Sequence, residues 1–286
     1  MKIAICGSFN FHVECLGFLL HLLRDHEIFI FLSDDPFRYI PYFQKSLNVD
    51  FKVFPHTLYS SNKYDETIKL TSNDPITSSD DIISIAHLKQ LSDDKNKFIS
   101  LTPYIYGDNI KYIFPLYRAL TSLSRNKIIT YIGYCLPSYI DDDLISFINN
   151  SVYKFNFIIY DPKVINEVRK FKNVLYAGNA ETNNMVDLIL ESRFILTRKL
   201  PYQSTDRFSG ALSLAVSHKK PVIIQKCFYD TYKIPGLLFD KNYTELTETL
   251  NTLTDNDYDD LVNSMELFIE ETDKINKDTI TSLITV

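Results

Sequence analysis

ESRFILTRKLPYQSTDRFSGALSLAVSHKKPVIIQ, residues Glu191 to Gln225, reads as strand, loop, helix and strand. Arg193 to Thr197 carries the short apolar run Phe194-Ile195-Leu196. A polar loop follows, with Arg198, Lys199, Gln203, Ser204, Thr205, Asp206 and Arg207. A helix is expected to start near Ser209-Gly210 and to bury Leu212, Leu214, Ala215 and Val216. Pro221 then opens the apolar strand Val222-Ile223-Ile224. A loop running from a strand into a helix start offers free backbone N–H groups and the positive end of the helix dipole, which suits an anion such as phosphate. Gly210 serves either the close approach of a ligand to the backbone or the tight packing of the helix on its sheet.

The same alternation extends in both directions. Upstream, Lys127 to Ile132 is a strand ending at Gly133, followed by a helix from Ser138 to Ile148. Strands at Phe155 to Tyr160 and Asn173 to Tyr176 alternate with helices at Lys163 to Phe171 and Glu181 to Leu190. Downstream come a loop, a strand at Leu237 to Phe239, and helices from Tyr243 to Leu253 and from Asp255 onward. The chain also opens on such a series. Lys2 to Cys6, a helix over Phe11 to Arg24, and Glu27 to Leu32 form β-α-β, followed by a helix at Phe37 to Leu47. Further strands are expected at Phe51 to Phe54, Thr67 to Leu70, Ile82 to Ile85 and Phe98 to Leu101. Wholly apolar strands between helices signal a parallel sheet covered on both faces. Two such series predict two α/β domains, 1–125 and 126–286, joined by a short connection near Ser124-Arg125-Asn126 and facing each other across a cleft. The carboxyl ends of the strands lining a cleft are the default ligand sites.

Composition narrows the classes. With 45% hydrophobic and 23% charged residues the chain has enough apolar mass for a packed core. A formal net charge of -6 argues against general nucleic-acid binding. The four cysteines (Cys6, Cys15, Cys135, Cys227) form no C-x-x-C pair and read as small buried hydrophobes in a reducing compartment. The start shows no signal segment, and the longest apolar runs are too short to span a bilayer, so a cytoplasmic protein without a transmembrane segment is expected. Only 7 glycines are present, so each is expected where the backbone requires it.

Two tandem Rossmann-like halves and the stretch Ser209 to Ile224, SGALSLAVSHKKPVII, resemble the GT-B class of nucleotide-sugar glycosyltransferases. In that class a loop and helix of the C-terminal domain hold the donor, and a Lys-Pro-Val-Ile-like segment leads into the next strand. Lys219-Lys220-Pro221-Val222-Ile223-Ile224 matches that segment. The resemblance implies an N-terminal acceptor domain, a C-terminal donor domain and no metal or other cofactor. It also implies a nucleotide-diphosphate sugar as donor and a carbohydrate, protein or lipid as acceptor. Many retaining members carry a Glu-x7-Glu pair ahead of this segment. Here those positions hold Asp206 and Leu214, a departure from a retaining mechanism of that kind. Several inverting members place a general-base His after the first strand, and Phe9-Asn10-Phe11-His12, with Glu14 nearby, looks like that arrangement. This start is also similar to one shared by a loose set of viral and bacterial GT-B-like proteins. Imidazole titrates near neutrality, as a base for an acceptor hydroxyl must. The alternative for His12 is a helix-capping or packing role.

Other candidates follow from the same resemblance. Arg198, Lys199 and Arg207 suit a diphosphate, or are solvated loop charges. Gly133 and Tyr134 follow the first strand of the second half, where a donor would lie, and the alternative for Tyr134 is a place in the core. Asn179 and Glu181 stand beyond Gly178, where a nucleotide ribose would be reached, although Glu181 equally suits a helix start. Ser209 and Gly210 would face the phosphates. The acids Asp34-Asp35 and Asp141 to Asp143 sit at helix starts and do not suggest a metal site. The first turn, CGSFNFH, lacks the G-x-G-x-x-G fingerprint, and neither G-x-S-x-G nor a P-loop occurs. Two readings remain open: a glycosyltransferase, or a non-catalytic GT-B-like protein that binds a nucleotide or sugar or serves as a partner subunit.

Overall fold

The structure, a computed structural model, describes residues 1–7, 14–33, 40–70, 82–86, 97–104, 110–133, 135, 137, 140–159, 161–179, 184–197, 208–240 and 243–284. The chain divides into two compact units. The first comprises Met1–Arg118, Pro201–Ser213 and Glu271–Val286; the second comprises Ala119–Leu200 and Leu214–Glu270.

The first unit holds a seven-stranded sheet. Its strands are β1 (Lys2–Gly7), β2 (Glu27–Leu32), β3 (Lys52–Pro55), β4 (Glu66–Lys69), β5 (Ile82–Ala86), β6 (Lys97–Ser100) and β7 (Ile110–Tyr112). The order is β3-β2-β1-β4-β5-β6-β7 and every pairing is parallel. Helices α1 (Glu14–Leu22) and α2 (Ile40–Ser46) connect the first three strands. The apolar runs that predicted these strands are buried, with Ile3, Ile5, Ile30, Ile68, Ile83 and Ile99 fully enclosed. Ala4, Cys6 and Phe31 share one sheet face, and Phe29, Phe54, Tyr59 and Tyr64 pack against them. Ring centroids there lie 5.6 Å apart for Phe31–Phe54 and 5.5 Å apart for Phe31–Tyr59.

The second unit holds a six-stranded sheet. Its strands are β8 (Ile128–Ile132), β9 (Lys154–Ile158), β10 (Val174–Gly178), β11 (Phe194–Leu196), β12 (Val222–Gln225) and β13 (Gly236–Phe239). The order is β10-β9-β8-β11-β12-β13, again wholly parallel. The connecting helices are α3 (Asp142–Asn150), α4 (Pro162–Val168), α5 (Met185–Glu191), α6 (Gly210–Ser217), α7 (Lys226–Tyr232) and α8 (Thr244–Thr252). Local chemistry sets several of their starts. The Asp141 carboxylate accepts from the Leu144 N–H at 2.9 Å and caps α3. Asp161 accepts from the Lys163 N–H at 2.8 Å and caps α4, with Pro162 just inside the helix start.

The last helix, α9 (Asp255–Ile284), gives residues up to Glu270 to the second unit and the remainder to the first. Of its apolar residues at helical spacing, Tyr258, Met265 and Ile269 are buried and Leu261 is half-buried. Tyr258 meets Phe194 edge-on at 5.5 Å, within a core that also holds Phe147, Phe155 and Tyr153. The final stretch is tied to the first unit by side chains. His21 and Asp273 are hydrogen-bonded at 2.7 Å in a buried position. The Asn276 amide donates to the Phe114 carbonyl at 2.6 Å, and the Lys97 ammonium donates to the Leu283 carbonyl at 2.8 Å. Burial works to raise the Asp273 carboxyl, but the bonds from His21 and Lys277 outweigh it and hold this group well below the usual carboxylate range.

Four details depart from the sequence expectation. β7 and α7 are additional elements. Leu214, expected to be buried with Leu212, Ala215 and Val216, is only half-buried. Cys227 is exposed on α7, whereas Cys6, Cys15 and Cys135 are buried as expected. The buried side of α7 is formed by Phe228 and Tyr232, and Cys227 lies off it.

Candidate functional site

In each sheet the chain winds outward from a central strand, returns, and winds the other way. The reversal falls between β1 and β4 in the first sheet and between β8 and β11 in the second. At such a point the flanking connections leave in opposite directions, so a crevice opens beyond the carboxyl ends of the two strands.

In the second sheet the crevice is bounded by Gly133, just past β8, and Thr197, just past β11. Leu196 pairs with Tyr131, which sets Thr197 alongside Ile132 and one residue short of Gly133. Both strand ends are held in place by backbone bonds. The Gly133 N–H donates to Ile158 O at 3.1 Å and the Thr197 N–H donates to Ile223 O at 3.0 Å. Gly133 has φ +130, and among the described residues, its chain neighbours aside, no heavy atom lies within 4 Å of the place a Cβ would occupy. The backbone is thus open to a ligand there, in a conformation that other residues adopt only with strain. Thr197 is 1% exposed, and its hydroxyl has no hydrogen-bond partner among the described residues. Sequence reasoning did not single out Thr197. Its only signal was its place as the last residue of an apolar strand.

The remaining candidates are distributed as follows. Asn179 is half-buried beyond β10, two strands from β8. The Tyr176 ring lies over Gly178, so the end of β10 is covered by an aromatic side chain. Ser209 and Gly210 are half-buried where α6 begins and group with the first unit. There Phe208 meets Phe114 edge-on at 5.3 Å, and the Ser213 hydroxyl donates to the Pro115 carbonyl. His12, Tyr134, Glu181, Arg198, Lys199 and Arg207 lie outside the described residues. Among the described residues no group of three or more His, Cys, Asp or Glu side chains forms a metal-ligating cluster, and no helix is long and apolar enough to cross a membrane.

The Lys-Pro-Val-Ile segment has a definite physical task. Lys219 is left-handed (φ 54) and ends α6. The Lys220 N–H donates to Ala215 O at 2.9 Å and the Lys219 N–H to Val216 O at 3.0 Å, which is the Schellman arrangement. This turn sends the Lys220 side chain into the interior, where it is fully buried. Its ammonium donates to the carbonyls of Leu190 (2.8 Å), Ser192 (2.8 Å) and Ser122 (2.9 Å). His218 is buried beside it, with Nδ1 2.6 Å from the Leu120 carbonyl. The Ser122 and Ser124 hydroxyls donate to Leu190 O and Glu191 O, each at 2.5 Å. Residues 119–124 are therefore clasped to the ends of α5 and α6 by side chains that look solvent-facing in the sequence. Burial pushes Lys220 down to about 8. Burial also pushes His218 down to about 4, against the opposing pull of the Leu120 carbonyl.

No protein-family model matches the sequence, and no curated protein sequence matches it. Solved structures do share its architecture from end to end. AviGT4, a glycosyltransferase involved in avilamycin A biosynthesis, superposes with a TM-score of 0.59 at 13% identity, over 100% of this chain and 99% of that one. The T4 phage β-glucosyltransferase superposes with a TM-score of 0.57 at 13% identity, over 100% of both chains. The glycosyltransferase VinC, solved with dTDP, gives 0.52 at 11% identity, over 100% of this chain and 99% of that one. The two wholly parallel α/β sheets and this end-to-end likeness define the class: the chain has the GT-B fold of these glycosyltransferases.

Proposed function

We propose that the protein is a glycosyltransferase that moves a sugar from a nucleotide-diphosphate sugar to an acceptor hydroxyl without a metal ion. The observation that carries this reading is the open backbone at Gly133 in the crevice between β8 and β11, in a GT-B fold. The nucleotide sugar binds the second sheet unit. A mutant of the T4 phage enzyme has been solved with UDP-glucose, the T4 phage enzyme with UDP and Mn2+, and VinC with dTDP, which makes UDP and dTDP sugars the first donors to try. In the sequence, Arg198 and Lys199 follow Thr197 directly and supply charge for a diphosphate. The acceptor binds the first unit, where His12 follows β1 in the sequence. His12 takes the proton of the acceptor hydroxyl as its oxygen attacks the anomeric carbon. The bond from that carbon to the diphosphate breaks, and the nucleoside diphosphate leaves.

The test is calorimetric titration with UDP, dTDP, GDP and ADP sugars, followed by assays of hydrolysis and transfer with and without EDTA. Binding with EDTA-insensitive turnover is expected. Failure to bind any of the four refutes the reading. Binding without turnover assigns the chain to the non-catalytic alternative, which Leu214 at the second position of the Glu-x7-Glu spacing favours. His12→Ala is expected to lower kcat by roughly 100-fold or more, the usual contribution of a general base, while leaving donor affinity unchanged.

A further inference from the structure

We infer that the Thr197 hydroxyl is a ligand-contacting group of the second unit, donating its hydrogen bond to a phosphoryl oxygen of a bound nucleoside diphosphate. The inference rests on the donor reading above and assigns one residue within it.

Buried hydroxyls in this chain differ in whether they find a partner. Thr130, on the same sheet face of the adjacent strand, shares a hydrogen bond with Ser192, and the Ser192 hydroxyl donates on to Leu188 O at 2.6 Å. The hydroxyls of Ser124 and Ser213 are likewise satisfied by carbonyls. Thr197 is as deeply buried as these, with its backbone N–H satisfied, yet its Oγ1 has no partner among the described residues. An unsatisfied buried hydroxyl is destabilising by about 1–3 kcal/mol, and valine fills the same volume without that cost. A threonine used only for packing at this position would be the worse choice. The position itself supplies the reason for the hydroxyl. Thr197 ends β11 at the reversal point of the sheet, beside the residue pair Ile132-Gly133, where the backbone stands open. A ligand entering that crevice over Gly133 meets an O–H donor already stripped of water. A hydroxyl gives its proton most strongly to an anionic oxygen, and the next two residues of the sequence are the cations Arg198 and Lys199. Phosphoryl oxygen is the acceptor that fits both.

The experiment compares wild type, Thr197→Val and Thr197→Ser by calorimetric titration with UDP, dTDP, GDP and ADP, and with uridine, thymidine, guanosine and adenosine. Thermal melting without ligand checks that each variant folds. Wild type is expected to bind at least one diphosphate. The valine variant is expected to bind it about 10-fold more weakly, as follows from losing a charge-assisted hydrogen bond, and to melt no lower than wild type. The serine variant is expected to stay within about twofold, since it keeps the donor. The matching nucleoside, which lacks phosphate, is expected to show no difference between valine and wild type. Equal diphosphate affinity in wild type and Thr197→Val overturns the inference while leaving the donor reading in place. So does an equal loss with the nucleoside, which would move the contact to the base or ribose. Wild type that binds none of the four diphosphates overturns both.

Discussion

Replacing Lys220 by methionine tests whether the buried ammonium is the clasp that holds residues 119–124. Methionine keeps most of the length and volume of the stem but none of the donors. In the wild type three N–H groups meet three carbonyls at 2.8 to 2.9 Å in a position with no exposure. The Leu190 carbonyl also accepts from the Ser122 hydroxyl and keeps that partner, so the substitution strips the lysine bond chiefly from Ser122 O and Ser192 O. Each buried carbonyl left without a bond is destabilising by about 1–3 kcal/mol. Against this, methionine no longer requires a cation to be held out of water, which returns part of the loss. The net expectation is about 3 kcal/mol, or a fall in Tm of about 6–12 °C for a chain of this size. Lys220→Arg is expected to fail as well, because a planar guanidinium does not fit a compact three-carbonyl cage. Thermal unfolding followed by circular dichroism reads the global effect. Hydrogen exchange adds a local one: the amides of 119–126 should lose protection first, including Asn126, whose N–H donates to the Ser124 hydroxyl at 3.3 Å. If Lys220→Met melts within 1 or 2 degrees of wild type and the 119–126 amides exchange no faster, the clasp is not a stabilising feature.

Two further outcomes follow from other sites. His218 is held down to about 4 from an ordinary value of 6.5, so the unfolded chain takes up its proton first as the solution is acidified. The stability associated with a neutral His218 is present above 6.5 and is lost as pH falls from 6.5 to 4. That loss amounts to about 3 kcal/mol at 1.4 kcal/mol per tenfold, and urea titrations at pH 7 and pH 4.5 should show most of it in wild type and little in His218→Gln. Lys233, exposed and left-handed (φ 54) at the end of α7, is expected to yield on replacement by glycine. Relief of the left-handed strain, about 1–2 kcal/mol, exceeds what is lost with its cation–π contact to Tyr229 at 5.1 Å, about 0.5–1 kcal/mol. Lys233→Gly should therefore melt a degree or more above wild type, and a lower Tm would contradict this.

The parallel sheets were legible because each strand buried on both faces leaves an uninterrupted apolar run, as in Ile128 to Ile132 or Val222 to Ile224. β7 was not legible: Ile110-Lys111-Tyr112 is a three-residue edge strand with one exposed face and no such run. Nor was α7, whose aromatic-rich KCFYDTY follows β12 without a side-chain cap to announce it. The candidate site was partly legible. Gly133 could be placed because a glycine after a strand is conspicuous in a chain with so few. Thr197 could not, since a hydroxyl becomes notable only when the packing around it leaves it unpartnered. Lys220 misleads in the opposite sense. The Lys-Lys pair entered the reading only as part of the Lys-Pro-Val-Ile segment, and nothing in it announced the left-handed turn at Lys219 that reverses Lys220 into the interior. His21 and Asp273, 252 residues apart, carry no local signal of their pairing.

The bonds of Asp273 and Asn276 also bear on what a protease would release. A single nick near Arg125 separates the polypeptide into pieces of ordinary size for isolated domains. Yet the carboxyl-terminal piece would still contain Asp273 and Asn276, whose partners His21 and Phe114 lie on the other piece. Each piece would lack a segment that the opposite one carries, so the nicked protein should travel as one species under native conditions and come apart only in denaturant.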